Sequence, residues 1–349
     1  MIMSSISIMN RKLLRFLLAI SIIALISVYF IYRSVAGPEI LAEGAESVYV
    51  EIPHGTSFDQ LTKLLLAKKL IPNEAVFRTL TKQLNYAGDP VRSGRFAVDP
   101  GMKLPDFIER LQSGKQAPVI VILTTERELA DVATKVARFI EPDAKDLLKL
   151  FQKQDFLDSL GYTKENLMSL FIPNSYEFFW DTSPRDFIRR MMDEHQKFWK
   201  RKDRYLIAER LELTQAEVYT LASIVEKETL QNDEKERMAG VYYNRLKIGM
   251  KLQADPTAVF ASRDFTTNRV TNYHLGVDSP YNTYKYKGLP PGPIAMASIA
   301  SIDAVLYHEQ HDYLYFCAKG DGSGYHTFAK TLEAHKENAA IYRENRRKR

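Results

Sequence analysis

Val48-Tyr49-Val50-Glu51-Ile52-Pro53-His54-Gly55-Thr56 decides the fold class. Aliphatic residues alternate with Tyr49 and Glu51, the period-2 pattern of a half-buried strand, and Pro53-His54-Gly55 supplies turn residues. Thr56 has the chemistry of a helix cap ahead of an apolar-periodic segment, Phe58 to Lys69. The same order of strand, turn and helix returns twice. Arg95-Phe96-Ala97-Val98 leads through Asp99-Pro100-Gly101 into Leu104 to Gln112, and Val119 to Leu123 leads into a helix over Glu126 to Phe139. The three resemble one another in pattern and only weakly in sequence, so they are not a repeat. Short strands interleaved with helices predict an α+β fold.

Working outward toward the C-terminus, Asp143 to Leu160 reads as helical. Ile172 to Trp180 is an aromatic-rich loop or strand, and Pro184 to Glu212 reads as one long charged helix with an apolar stripe. Tyr313-Leu314-Tyr315-Phe316 reads as a buried strand, and Gly320 to Gly324 as a turn before Tyr325-His326-Thr327-Phe328.

Toward the N-terminus, Phe16 to Tyr32 carries no charge, and Leu13 and Leu14 extend it past Arg15. That length sits at the short end of what spans a hydrocarbon core of ~30 Å. Arg11, Lys12 and Arg15 precede the run and Arg33 follows it. The excess of basic residues on the N-terminal side predicts a cytoplasmic N-terminus and an extracytoplasmic body. Ser34-Val35-Ala36 resembles a signal cleavage site, but the apolar run exceeds the ~7–15 residues of a signal-peptide core. An uncleaved anchor is the expectation, and an exported body argues against nucleotide, kinase and nucleic-acid functions.

With 45% hydrophobic and 26% charged residues, the 349-residue chain has a globular composition and room for two or three domains. Its only cysteine, Cys317, rules out an intrachain disulfide. The net charge of +5 is concentrated in the tail from Arg343 to Arg349, leaving the rest close to neutral. That tail reads as a solvated terminus.

Candidate chemistry begins at Thr214-Gln215-Ala216-Glu217, which has capping-box spacing. The helix it opens carries Val218, Leu221, Ala222 and Val225 as one apolar stripe, with Glu226 and Glu228 near its two borders and Lys227 pointing away. A carboxylate at such a border is partly desolvated, which raises its pKa and suits a general acid. The helical wheel does not choose between the two glutamates, and a plain solvated helix end has the same pattern. Beyond it, Leu252 to Thr257, Tyr281 to Tyr284 and Gly288 to Ile294 are rich in Tyr, Asn, Gln, Asp and Pro. Such loops suit a sugar polymer, since aromatic faces stack on pyranose rings and amides bind hydroxyls. No HExxH pattern or paired metal-ligand spacing, G-x-S-x-G elbow or Gly-rich phosphate loop occurs, so neither metal nor cofactor is expected.

Taken together these stretches resemble the endolytic murein transglycosylase (MltG, YceG-like) family. The match is carried by Leu221-Ala222-Ser223-Ile224-Val225-Glu226-Lys227-Glu228-Thr229, Val241-Tyr242-Tyr243-Asn244-Arg245-Leu246 and Leu252-Gln253-Ala254-Asp255-Pro256-Thr257. It continues through Tyr281-Asn282-Thr283-Tyr284, Gly288 to Ile294, Tyr313 to Phe316 and His326-Thr327-Phe328. The resemblance implies a lytic transglycosylase in the inner membrane that cleaves peptidoglycan to 1,6-anhydromuramyl ends. Glu226 would be its catalytic glutamate, and Glu228, Asn244, Gln253, Asp255, Asn282, Tyr284 and His326 would line the cleft and bind substrate. It implies peptidoglycan synthases (penicillin-binding proteins) as partners and no nucleic acid. The layout it implies is a cytoplasmic N-terminus (1–12), an anchor (13–32), a linker (33–46), a LysM-like subdomain (47–117), a catalytic domain (118–342) and the basic tail (343–349). Two other functions fit the residues: a hydrolytic muramidase using Asp255 or Glu228 as second carboxylate, and a non-catalytic wall-binding scaffold. Ala254 stands where the family usually has Thr, Met296-Ala297-Ser298 replaces a usual Asn-Pro-Gly, and Tyr325 stands where Gly is commoner. These departures are expected to alter loop shapes and to leave the acid untouched.

Overall fold

The computed structural model describes residues 16–26, 40, 46–86, 88–267 and 269–348. It is a mixed α+β structure, in which all the described strands form two-stranded antiparallel ribbons. Residues 16–26 are helical, and their large apolar side chains are exposed. No helix among the described residues is long and apolar enough to cross a membrane. The rest of the expected anchor, 13–15 and 27–32, lies outside the described residues, as does almost all of the linker.

The chain divides into two compact units, Met1–Pro118 with Phe179–Asp181, and Val119–Phe178 with Thr182–Arg349. In the first, β1 (Val48–Ile52) pairs with β2 (Gly94–Val98), Val50 opposite Phe96. The alternation read in the sequence puts Val50, Ile52, Phe96 and Val98 inward, where they meet helices α1 (Phe58–Ala67), α2 (Glu74–Gln83) and α3 (Leu104–Ser113). The cap of α1 is Ser57, one residue later than expected. Ser57 and Gln60 make the reciprocal capping box, whereas the Thr56 hydroxyl donates to Pro53 O at 2.7 Å.

In the second unit, β3 (Val119–Leu123) pairs with β4 (Asn174–Phe178), so the third strand read from the sequence does not join the first two. Its helix α4 (Leu129–Val136) is shorter than expected, and the 143–160 region is two helices, α5 (Ala144–Phe151) and α6 (Gln154–Leu160). The single long helix expected from Pro184 breaks into α7 (Pro184–Lys200) and α8 (Arg204–Arg210), because Lys202 and Asp203 adopt positive φ. The break lets buried Arg204 form a two-pronged ion pair with Asp303, at 2.7 and 2.9 Å.

The centre of this unit is α9 (Gln215–Glu228). Its capping box forms as read: Glu217 N donates to Thr214 Oγ1 and Thr214 N to Glu217 Oε2. The expected stripe is instead a sleeve, since every residue from Val218 to Val225 is buried. Around it pack α10 (Lys235–Lys247), α11 (Asp255–Ser262) and α13 (Ile299–Leu306), with the small helix α12 (Asn272–Gly276) beyond α11. A helix apolar all round is a buried helix. Two of its hydroxyls meet the loop ahead of α13: Ser223 Oγ accepts from Ile294 N, and the Tyr219 hydroxyl accepts from Ala297 N while donating to Phe171 O; the third, Thr220, donates to Ala216 O within the helix. Last come β5 (Tyr315–Ala318) and β6 (His326–Ala329), a ribbon flanked by α14 (Leu332–Arg347). The expected buried strand at Tyr313–Phe316 is thus shifted and only half-buried.

Candidate active site

Helix α9 delivers Glu226, Lys227 and Glu228 at its C-terminal end, and the two carboxyl groups meet different surroundings. Glu226 Oε2 accepts from Lys235 Nζ at 3.1 Å, from Ser298 Oγ at 2.5 Å and from Ser301 Oγ at 2.5 Å. Burial pushes its pKa up, but the two serine hydroxyls and the lysine ammonium outweigh it, and the carboxyl is held below its ordinary range. Ser298 is the N-cap of α13 and belongs to one of the departures from the family pattern. That departure does reach a motif glutamate, contrary to expectation.

Glu228 is the reverse case. Its Oε2 is closed off from solvent and, among the described residues, has no well-formed hydrogen bond, while the residue as a whole keeps a solvent-facing edge. Burial, then the charge of Asp255, pushes its carboxyl up to about 7. The neighbouring Tyr242 hydroxyl, itself buried without a well-formed partner, and the Arg245 guanidinium pull the other way and do not prevail. Arg245 is tied to backbone instead, donating to Leu314 O and Leu252 O.

Glu228 opens onto a cavity of about 620 Å³ whose walls include Asp255, Arg127, Lys227, Arg269 and Phe265. Asp255 is exposed at the first turn of α11, and its Oδ1 accepts from the Tyr284 hydroxyl at 2.5 Å. Gln253 has φ 48°, an uncommon conformation for a residue with a side chain, and its backbone N donates to Thr283 O. Thr283 and Thr257 share a buried hydroxyl contact of 2.7 Å that locks the 253–257 turn to the 281–284 loop.

The remaining expected residues make contacts within the protein. Asn282 is fully buried; its amide donates to the carbonyls of His274, Leu275 and Val277 and accepts from Tyr284 N. Asn244 donates to His311 O and Tyr313 O, anchoring the approach to β5. His326 pairs through Nδ1 with Glu234 at 2.9 Å, and its backbone N donates to the same carboxylate at 3.0 Å. Glu228, Asp255 and Tyr284 therefore come together, with Gln253 on the adjoining turn. Asn244 and Asn282 point their amides into the scaffold. Lys235, Ser298, Ser301, Tyr242 and Arg127 were missed in the sequence. Only Ser298-Ile299-Ala300-Ser301, with its helix-cap spacing, carried a local signal.

A carboxyl pushed up to about 7 beside an ionisable neighbour, in a cavity with aromatic and charged walls, is the arrangement of a general acid–base enzyme site. The chain belongs to the YceG-like family, whose model matches residues 50–341. It is 30% identical over 327 residues to the endolytic murein transglycosylase of Bacillus subtilis (strain 168), covering 88% of each chain. It is 28% identical to the endolytic murein transglycosylase of Streptococcus pneumoniae (strain R6), covering 86% of this chain and 59% of that one. A crystal structure of a YceG-like protein from Listeria monocytogenes superposes with a TM-score of 0.55 at 30% identity, covering 84% of this chain and 98% of that one.

Proposed function

We propose that this protein is a lytic transglycosylase that cuts peptidoglycan glycan strands internally, with Glu228 rather than Glu226 as its acid. The observation that carries the reading is the contrast between the two carboxyl groups. Glu226 is clamped as an anion by three donors, whereas Glu228 is held near neutrality on a cavity wall. A group that must give and then recover a proton works best with a pKa near the working pH. The names of the relatives in Bacillus and Streptococcus support the substrate class.

Protonated Glu228 donates to the oxygen joining C1 of N-acetylmuramic acid to O4 of N-acetylglucosamine. The C1–O bond breaks, the 4-hydroxyl leaves, and positive charge builds at C1. The muramyl 6-hydroxyl attacks C1 and returns its proton to the Glu228 carboxylate. The product is a 1,6-anhydro end, and no water is consumed. Asp255, on the same cavity, has the charge sign to oppose the developing cation. It also supports a second reading, hydrolysis by two carboxylates.

The exposed apolar helix at residues 16–26 supports a membrane anchor with the body outside the cytoplasm. The separately packed first unit supports a LysM-like wall-binding module, and a cut made close to the membrane would end nascent strands beside the synthases. The deciding experiment digests purified strands with the full chain and weighs the fragments. Anhydro ends are expected; ends heavier by one water would establish a muramidase instead.

A further inference from the structure

Three cations border the cavity beside Glu228, on walls they share with the carboxyl groups of Glu228 and Asp255. Arg127, Lys227 and Arg269 line it, and among the described residues none forms an ion pair. Three of the acids near them in sequence are committed to other cations. Glu126 pairs with Lys135 at 3.3 Å, Glu128 with Arg263, and Glu226 with Lys235 at 3.1 Å. The Arg127 guanidinium lies 4.5 Å from the centre of the Phe265 ring, and its N–H groups donate to no protein acceptor among the described residues. Lys227 is half-buried, and desolvation and the like charge of Arg127 outweigh the attraction of Glu226 and Glu126, so its ammonium is held below its ordinary range. Cations without an ion-pair partner, gathered around a reaction cavity, are placed for an anionic part of the ligand.

If the strand is cleaved as proposed above, the chemistry of the reacting sugar identifies that part. N-acetylmuramic acid carries a lactyl group on O3, and C3 is two bonds from the C1 that reacts. In intact wall this arm continues into a short peptide bearing carboxylates; on stripped strands it ends in its own carboxylate. Lys227 directly precedes Glu228 in the chain and lines the same cavity, which puts a cation on the wall that would receive the arm of the sugar being cut. Arg127 also faces a second cavity, of about 580 Å³, lined by Lys164, Arg263 and Tyr281, which gives a longer arm somewhere to lie.

We propose that Arg127 and Lys227, with Arg269 at the rim, form a subsite for the carboxylates of the peptide-bearing lactyl arm on the muramyl residue being cleaved. The inference rests on the glycan-cleaving reading, and the test keeps the two apart. The full chain in detergent is given three substrates: peptide-bearing strands, the same strands with carboxylates converted to methylamides, and strands stripped of peptide. The wild type should prefer anionic over amidated strands by about tenfold or more in kcat/KM, chiefly through KM, as expected of charge-assisted hydrogen bonds. An Arg127→Gln/Lys227→Gln double variant, close in size to the wild type, should bring that ratio near one. A penalty on peptide-bearing strands assigns the carboxylates of the peptide. A penalty confined to stripped strands assigns the lactyl carboxylate. An unchanged preference in the double variant, or no preference in the wild type, overturns the subsite. Absence of anhydro ends from every substrate would instead overturn the parent reading.

Discussion

Glu226 and Glu228 leave one helix end two residues apart and meet opposite surroundings: Glu226 Oε2 accepts three hydrogen bonds, and Glu228 Oε2 accepts none of good geometry. Two steps along an α-helix turn a side chain through roughly 200°. One glutamate thus faces the start of α13, and the other faces the cavity that also holds Asp255. A single turn of helix supplies a fixed anion and a titratable acid.

That division makes the first prediction. Glu228→Gln keeps size and hydrogen bonding but has no acidic proton to give, so the leaving oxygen would depart as an alkoxide. Release of anhydro-ended fragments should fall by roughly 10²–10⁴-fold, the range of general acid–base help. Glu226→Gln should lose less activity and more stability. If the larger kinetic loss followed Glu226 instead, the assignment of the acid would be wrong.

The pH dependence follows from the same residue. With the Glu228 carboxyl pushed up to about 7, kcat/KM should fall as pH rises through that value. The stability sign is also set. A carboxyl raised in the folded state favours folding below its unfolded value of 4.5, and that contribution is lost as pH rises through about 7. At pH 8 the ionised side chain then costs the fold about 3 kcal/mol. Glu228→Gln should raise Tm at pH 8 and change it little at pH 4. Equal Tm shifts at both pH values would contradict the raised carboxyl.

Local chemistry was readable in the sequence and long-range chemistry was not. The capping box at Thr214 and the β1 alternation depend on residues within a few positions, and both formed as read. Helix α2 carried an equally local signal, Asn73 as cap and Val76, Phe77 and Leu80 as its apolar face, and it went unread. The break at Lys202-Asp203 had no glycine or proline to announce it; its reason, the Arg204–Asp303 pair, spans 99 residues. The partners of Glu226 lie 9, 72 and 75 residues away, so periodicity could place both glutamates at a border without revealing which one was neutralised. Asn282 and Asn244 read as sugar contacts because an amide in a loop looks the same whether it faces solvent or backbone carbonyls.

The clamp on Glu226 makes a third prediction. The Lys235 and Glu226 side chains are 6% and 15% exposed, so removing one partner strands the other's charge. Lys235→Met should destabilise by about 3 kcal/mol, near the lower end for a broken buried pair, because two serine donors remain. Adding Glu226→Gln should restore part of that loss. Urea denaturation of the two single variants and the double closes the cycle. Strictly additive costs would mean that the pair is not coupled.

Asn282 gives the last prediction, because its amide is bonded within the loop. Its amide satisfies the carbonyls of His274, Leu275 and Val277 at 3.3, 3.1 and 2.8 Å, and accepts from Tyr284 N at 3.1 Å. Truncation to alanine leaves buried carbonyls without a donor, which costs about 1–3 kcal/mol for a group left unsatisfied. It also frees the turn that aims the Tyr284 hydroxyl at Asp255. Asn282→Ala should therefore lower the stability of the ligand-free protein by about 2 kcal/mol. Tyr284→Phe, which removes only the hydroxyl contact with Asp255, should leave that stability close to wild type. Thermal unfolding without glycan separates the two possibilities, since a residue whose partner is the sugar is silent until sugar is present. An unchanged Tm in ligand-free Asn282→Ala, together with a raised KM for glycan, would return Asn282 to the substrate-binding face.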